Sequence, residues 1–374
     1  MTASRRIALE VLVSVDGGQR VGQALATASG LDALDARDRA FVTELVNGTT
    51  RMRRALDTLA APFVKRQLDA DVQAAVRLGT YQLRFLGTPP HAAVSGTVDA
   101  APRRARGLVN AVLRRVSEIE SVSYPSPAVE HSYPDWMWGL ASSQWGDEGL
   151  AALIAMNTPE RPQPRPDGFV QGQASRWVCD VVDAVAPEGG RLLDLCAAPG
   201  GKATGVGPQW SSVVAVERDE ARVRTLNTTV TRFRTGTPVV RADARQLPFR
   251  PGSADLALVD APCSGLGALG RRADARWVVG AAVVDRLAVV QKDLVQRALD
   301  AVRPGGLVVY SVCTFTHQET TGVVDALIEH GIQTLDVPGG HWRRHGRGAL
   351  VLPQDHGTDA MAVFVLKRPG LSRT

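Results

Sequence analysis

The stretch Leu192-Leu193-Asp194-Leu195-Cys196-Ala197-Ala198-Pro199-Gly200-Gly201-Lys202 constrains this chain more than any other. Arg191 to Leu195 is apolar with little alternation, the pattern of a buried parallel strand. Pro199-Gly200-Gly201 ends that strand in a tight turn where backbone can approach a ligand. A helix is predicted behind the turn, its amide dipole aimed at the same ligand. Many α/β folds carry such a turn, so the flanking acids matter. Asp194 sits at the end of the first strand, and a second apolar run, Ser212 to Val216, ends in Glu217. An acid at the tip of the second strand, roughly 20 residues on, suits hydrogen bonding to ribose hydroxyls. A nucleoside-bearing cofactor follows.

At 374 residues the chain exceeds one ordinary core, so two domains are the starting expectation. No apolar run approaches the roughly 18 residues a membrane span needs, and Met1 to Arg6 lacks the apolar segment of a signal peptide. Cys179, Cys196, Cys263 and Cys313 lack paired zinc-type spacing and are too sparse for a disulfide framework. A reducing cytoplasm, no membrane and no metal are expected. Charge is unevenly placed: residues 1–120 hold 17 Lys and Arg against 12 Asp and Glu, and the remainder holds 26 of each. All the net positive charge lies in the first third, which predicts a polyanion-facing surface there; a solvated helical face is the plain alternative.

Arg5 to Glu118 reads as all-helical. Ile7, Leu9, Val11, Leu12 and Val15 give one apolar stripe; Phe41, Val42, Leu45 and Val46 give another, and Val109, Val112, Leu113 and Val116 close the set. Basic pairs recur on the polar sides: Arg53-Arg54, Lys65-Arg66, Arg103-Arg104 and Arg114-Arg115. Ser121 to Pro134 and the Pro-punctuated Thr158 to Gly168 read as linkers, with one or two helices between them. From Phe169 strands and helices alternate, as in a parallel α/β sheet. Seven strands are predicted: 191–195, 212–216, 238–241, 256–259, 307–310, 333–337 and 361–366, the last two as a closing hairpin. The domains expected are 1–120, a 121–168 linker with short helices, and 169–374.

The chemistry lies at strand ends. Asp260-Ala261-Pro262-Cys263-Ser264-Gly265 follows the apolar run Ala257-Leu258-Val259, and Tyr310-Ser311-Val312-Cys313-Thr314 ends the next. Open α/β sheets bind ligands at that carboxyl edge. Methylation of pyrimidine carbon 5 needs a thiol beside such a cofactor. That carbon becomes nucleophilic only after a thiolate adds to carbon 6, and a base must then remove its proton. Two cysteines that merely pack are the bland alternative; Cys179 and Cys196 read that way.

The helical segment resembles the NusB-like RNA-binding domain at Leu34 to Phe41, Glu44 to Thr49 and Gly107 to Arg115. Asp194 to Lys202, Asp260 to Gly267 and Tyr310 to Thr314 resemble the motifs of the RsmB/Sun-type RNA (cytosine-5) methyltransferases. Gly267 to Trp277, Gln291, Pro304-Gly305-Gly306 and Glu319 also fall where that family has similar residues. The fold implied is a Rossmann-like class I methyltransferase domain with a mostly parallel seven-stranded sheet, preceded by an all-α domain. The resemblance implies S-adenosyl-L-methionine as cofactor and RNA as partner, ribosomal RNA or a ribosomal particle, with a monomeric chain. It also implies Cys313 as nucleophile, Cys263 in product release and Asp260 near ring nitrogen 3; spacing alone does not tell the thiols apart. Cys196, Ala197, Ala198, Pro199, Gly200, Gly201 and Lys202 would cradle the methionine part, with Asp260 beside them. Glu217 would bind the ribose, Asp243 the adenine edge, and Arg222 joins this set. An exposed, solvated Lys202 and a helix-capping Asp243 are the local alternatives.

Departures from the family pattern are visible. Between Met156 and Phe169 the family usually carries a longer, RNA-docking segment, Gln171-Gly172 lacks an acid found there, and Asp359-Ala360-Met361-Ala362 replaces an aromatic pair. None touches Cys263, Cys313 or Asp260. Two other readings stay open: a non-catalytic RNA-binding or ribosome-assembly factor, and a methyltransferase on a smaller nucleoside.

Overall fold

The apolar stripes of the first third become helices α1 (Thr2–Asp16), α2 (Val21–Ala26), α3 (Ala36–Arg51), α4 (Arg53–Ala60), α5 (Ala70–Arg84), α6 (Pro90–Ala100) and α7 (Arg106–Ser117), followed by the short α8 (Pro127–Glu130), in the computed structural model. The structure describes residues 2–234, 236–329 and 331–370; Met1 and residues 371–374, the outer ends of the two expected domains, lie outside the described residues. Asp35 starts α3 by accepting from the amide of Asp38 at 2.7 Å. Within α3, Gly48 has no room for a side chain: a Cβ there would lie 2.0 Å from the Tyr81 ring of α5. That Tyr81 hydroxyl donates to Glu44, one turn before Gly48. Leu45, Leu56, Leu78 and Leu113 are fully buried where these helices meet.

This helical unit comprises the described residues up to Leu140 together with Arg272–Val278, which carries the short helix α12 (Ala275–Val278). Arg276 is wholly buried, its guanidinium 3.9 Å over the Tyr133 ring, and burial lowers its pKa to about 10. Trp277 Nε1 donates to the Thr50 carbonyl at 2.7 Å, satisfying an orphan acceptor in the last turn of α3. The stretch 121–134 is anchored rather than free: Ser132 and Tyr133 are buried, and the Ser132 hydroxyl accepts from the Arg54 amide at 2.9 Å. The basic pairs divide. Arg54 forks onto Asp135 and Arg104 bridges Asp69 and Asp71, while Lys65, Arg66, Arg114 and Arg115 stand exposed.

The second unit comprises Ala141–Arg271 and the described residues from Val279 onward. The chain enters it within α9 (Asp135–Ala155), which breaks at Gly146 (φ 55°). Its strands are β1 (Gly190–Asp194), β2 (Trp210–Glu217), β3 (Val239–Arg241), β4 (Ala254–Asp260), β5 (Val302–Val312), β6 (Gln333–Leu335), β7 (Arg343–His345), β8 (Gly348–Val351) and β9 (Met361–Lys367). Helices α10 (Gln173–Val185), α11 (Glu220–Phe233), α13 (Ala281–Ala301), α14 (Thr321–Ile328) and α15 (Pro353–His356) accompany them. The sheet order is β3-β2-β1-β4-β5-β9-β8-β7, with β6 also paired to β9. β3, β2, β1, β4 and β5 run parallel; β9 joins β5, β6 and β8 antiparallel, and β7 pairs antiparallel with β8.

Three expectations are corrected. The sheet has nine strands rather than seven, because residues 342–351 form a further hairpin around Gly346 (φ 57°). Its antiparallel half makes the sheet mixed rather than mostly parallel. No α-helix is formed between β1 and β2; Gly201 to Val206 makes turns only, the Thr204 amide on the Gly200 carbonyl at 3.0 Å and the Val206 amide on the Lys202 carbonyl at 3.2 Å, with the Gly201 carbonyl between them left out of the ladder. The Gly201 carbonyl accepts from Arg165 at 2.8 Å instead of from the Gly205 amide, and Gly205, Gly207 and Pro208 follow at once, so no continuous helix forms.

Candidate active site

Strand order reverses between β1 and β4, and that switch point opens a crevice at the strands' carboxyl ends. Asp194 ends β1, Glu217 ends β2, Asp260 ends β4, and Cys313 follows β5. A cavity of about 300 Å³ lies there, lined by Asp194, Cys196, Lys202, Asp260, Arg271 and Cys313 among others. Of the turn residues, Ala197, Ala198, Pro199 and Gly201 also line it. Gly200 shapes the turn from behind, at φ 108°; a Cβ on it would sit 2.9 Å from Thr229 Cγ2. A Cβ on Gly201 would press to 3.1 Å from the Phe169 ring.

Lys202 is buried, not solvated, and its Nζ lies 2.6 Å from Asp260 Oδ2. Burial works against the ammonium, but the Asp260 carboxylate outweighs it and holds Lys202 above its ordinary pKa. The other Asp260 oxygen accepts from Ser311 Oγ at 2.9 Å, its neighbour across β4 and β5. Asp194 is wholly buried, and neither of its oxygens has a hydrogen-bond partner. Burial, then the charge of Asp260, pushes its pKa to about 7; Lys202 and the nearby amides of Cys196 and Ala203 offset only part.

The two thiols meet: Cys263 Sγ lies 3.4 Å from Cys313 Sγ. The Cys263 thiol is raised well above its ordinary pKa by its contact with Cys313, by burial and by the charges of Glu319 and Asp260. Cys263 is therefore a thiol at neutral pH, able to share its proton with Cys313. Cys313 lines the cavity and Cys263 does not.

Glu217, Arg222 and Asp243 stand outside that lining. The Glu217 carboxylate accepts from the amides of Arg218 at 2.8 Å and Asp219 at 3.0 Å. Arg222 bridges back, 3.4 Å from Glu217 and donating to the Ala198 carbonyl at 2.7 Å, so it ties the turn to β2. Asp243 caps no helix. It accepts from its own neighbour Arg245 through amide and guanidinium, which lowers its pKa to about 2.

Sequence reasoning missed several residues. Arg165, from the Pro-punctuated stretch read as a linker, is buried and donates to Gly201 O at 2.8 Å and Thr204 Oγ1 at 3.0 Å. Pro162 lines the cavity from the same stretch, and Phe169 and Val170 line it from the residues just after. Glu160 accepts from the Gln173 amide at 2.7 Å at the start of α10. The Asp167-Gly168 turn, with Gly168 at φ 87°, was the available signal that this segment folds back on itself. Arg271 enters the cavity wall held by Asp359, its Nε donating at 2.8 Å.

The model of the RsmB/F 16S rRNA methyltransferases matches residues 184–367, and the NusB family model matches residues 2–118. A Mycobacterium tuberculosis (strain H37Rv) protein named as a methyltransferase is 32% identical over 445 aligned residues, covering 98% of this chain and 96% of the relative. The chain belongs to the RsmB/F methyltransferase family. Ribosomal RNA small subunit methyltransferase B of Thermus thermophilus is 33% identical over 356 residues, 87% of each chain. The first alignment is longer than the 374-residue chain, so that relative carries insertions this methyltransferase lacks. Among solved structures, that of PH0851 superposes with a TM-score of 0.79 at 18% identity over 98% of both chains, a likeness of fold.

The enzyme's cofactor is S-adenosyl-L-methionine, and the crevice fits it. Gly201 leaves cavity space that a Cβ would fill, against the lining residues Phe169 and Gln171, and the unpartnered Asp194 carboxyl faces the same cavity. No helix among the described residues is long and apolar enough to cross a membrane.

Proposed function

We propose that this methyltransferase methylates carbon 5 of a cytosine in ribosomal RNA through a covalent adduct on Cys313, acting as a cytoplasmic monomer. The observation that carries the reading is the pair of thiols 3.4 Å apart, of which Cys313 lines the same crevice as the Lys202–Asp260 pair. Ala197 to Lys202 cradle the methionine part of S-adenosyl-L-methionine, Glu217 takes the ribose hydroxyls, and Asp243, kept ionised by Arg245, accepts from the adenine amine. When bound there the cofactor supplies an electrophilic methyl group. Cys313, as thiolate, bonds to carbon 6 of the cytosine, and the displaced π pair makes carbon 5 the nucleophile. Asp260, oriented by Lys202 and Ser311, holds the ring near nitrogen 3 by accepting from the exocyclic amine beside it, which fixes carbon 6 for addition. After methylation a base takes the carbon-5 proton, the carbon 6–sulfur bond breaks, and its electron pair returns to Cys313. Cys263 assists that release, as the sulfur beside the departing one.

The small-subunit RNA is the substrate class that the Thermus thermophilus relative's name supports. The exposed Lys65, Arg66, Arg114 and Arg115 of the helical unit supply the phosphate-facing charge. Total RNA from cells lacking the enzyme, incubated with it and labelled S-adenosyl-L-methionine, should gain 5-methylcytosine in small-subunit RNA. Label on free nucleosides alone would shift the substrate to a small molecule. RNA binding with no label anywhere would make the chain a binding factor.

A further inference from the structure

The thiols are brought together by their loops, and those loops converge on one buried acid. Glu319 is fully buried and does not line the cavity. Its Oε1 accepts from the Ser264 amide at 2.7 Å and from Gln291 Nε2 at 3.0 Å. Its Oε2 accepts from the Ser264 hydroxyl and from Thr316 Oγ1 at 3.0 Å. Ser264 is the residue after Cys263, and Thr316 lies three past Cys313. Gln291, on α13, also donates to the Pro262 carbonyl at 3.0 Å, gripping the other side of Cys263. Tyr310 Oη donates to the Glu319 carbonyl at 2.6 Å and lies 3.1 Å from Gln291 Oε1, which closes the network onto β5.

Four donors from three segments thus meet one carboxylate. A buried charge is tolerated only when hydrogen bonds replace its water, and here every donor also fixes a piece of backbone beside a cysteine. We propose that Glu319 is a positioning residue that sets the separation of Cys263 and Cys313, an inference resting on the reading of those thiols as the reacting pair. Glu319→Gln keeps the volume but faces four donors with one acceptor oxygen and an NH₂ that is itself a donor. The Ser264 and Thr316 hydroxyls can turn to accept from that NH₂, but the charge that strengthens all four contacts is lost, so the two loops are held less tightly.

Two readouts separate positioning from general stability. In steady-state assays Glu319→Gln should lower kcat on the order of tenfold to a hundredfold, with KM for RNA and the Kd for cofactor held within about twofold. In the second, the native protein is treated with an azodicarboxamide oxidant. Cys263 and Cys313 give up two protons and two electrons to its N=N bond, yielding the hydrazine and a disulfide. Formation of the linked peptide, followed by mass spectrometry, should slow by about tenfold in the variant, since exchange chemistry needs sulfur within reach of sulfur. Wild-type linking together with wild-type kcat would overturn the proposal. If Glu319→Gln does not fold, Thr316→Val decides, with a smaller loss of both rates expected and no loss of either refuting. Loss of the Glu319 charge would by itself ease ionisation of Cys263 and speed linking, so slower linking reports lost geometry; it stays informative even if Cys313→Ala were to retain methyl transfer, a result that would refute the reacting-pair reading instead.

Discussion

Asp194→Asn should change how stability depends on pH, and the structure gives the size. The Asp194 carboxyl has a pKa of about 7 in the fold against 3.8 ordinarily, because it is wholly buried and faces Asp260. That gap of about 3 units corresponds to about 4 kcal/mol. Below the ordinary value the group is protonated in both folded and unfolded chains and costs nothing. Between the two values the unfolded chain ionises while the fold keeps its proton, so stability falls as pH rises, and above the folded value the full deficit applies. Asparagine never titrates. From about pH 5 to about pH 8 the advantage of Asp194→Asn over the parent should therefore grow by about 2–3 kcal/mol. Urea unfolding at the two pH values, scored as midpoint differences at unchanged slope, measures it. An advantage that stays constant or shrinks would refute the assignment of a buried, proton-holding carboxyl at the end of β1.

Three further outcomes follow from the same crevice. Lys202→Met removes the cation 2.6 Å from Asp260; with Asp260 one-third exposed, the cost should fall below that of a fully buried pair, about 2–3 kcal/mol. A lowered melting temperature and loss of methyl transfer would show it, and unchanged melting would count against a buried ion pair. Gly200→Ala forces a side chain onto φ 108° and against Thr229 and should weaken cofactor binding by calorimetry, with strain of order 1–3 kcal/mol; unaltered affinity would mean that the turn does not hold the ligand. Arg165→Ala frees the Gly201 carbonyl and should raise the cofactor Kd while leaving the melting temperature within a few degrees; the reverse pattern would make Arg165 a purely structural anchor.

The parts of the fold carried by local pattern were legible. β1, β2, β4 and β5 carry apolar runs (Leu307 to Tyr310 in β5) because both faces of a parallel strand are covered, and the acids and thiols at their ends follow from chain direction alone. β7 and β8 were not legible, since Arg343, Arg344, His345 and Gly348 show no alternation and pair only once β9 offers an edge. The predicted helix after the turn failed for a tertiary reason: Arg165 takes the carbonyl its second turn would use. The linker reading failed with it, because a Pro-rich stretch reveals nothing of the buried arginine contacts that pin it. For the site, sequence placed Cys263 and Cys313 at neighbouring strand ends, yet their 3.4 Å approach depends on Ser264, Gln291, Thr316 and Glu319 meeting across three segments. Lys202 changed character most. Nothing local distinguishes a solvated lysine from one sealed against Asp260.

The central claim, that Cys313 carries the base while Cys263 helps release it, is tested most directly by trapping. Cys263→Ala is incubated with substrate RNA and labelled S-adenosyl-L-methionine, then resolved on a denaturing gel beside the Cys263→Ala/Cys313→Ala double variant. A labelled protein–RNA band is expected in the single variant and should vanish in the double one. Free methylated RNA without a retained band, or a band that survives loss of Cys313, would contradict it.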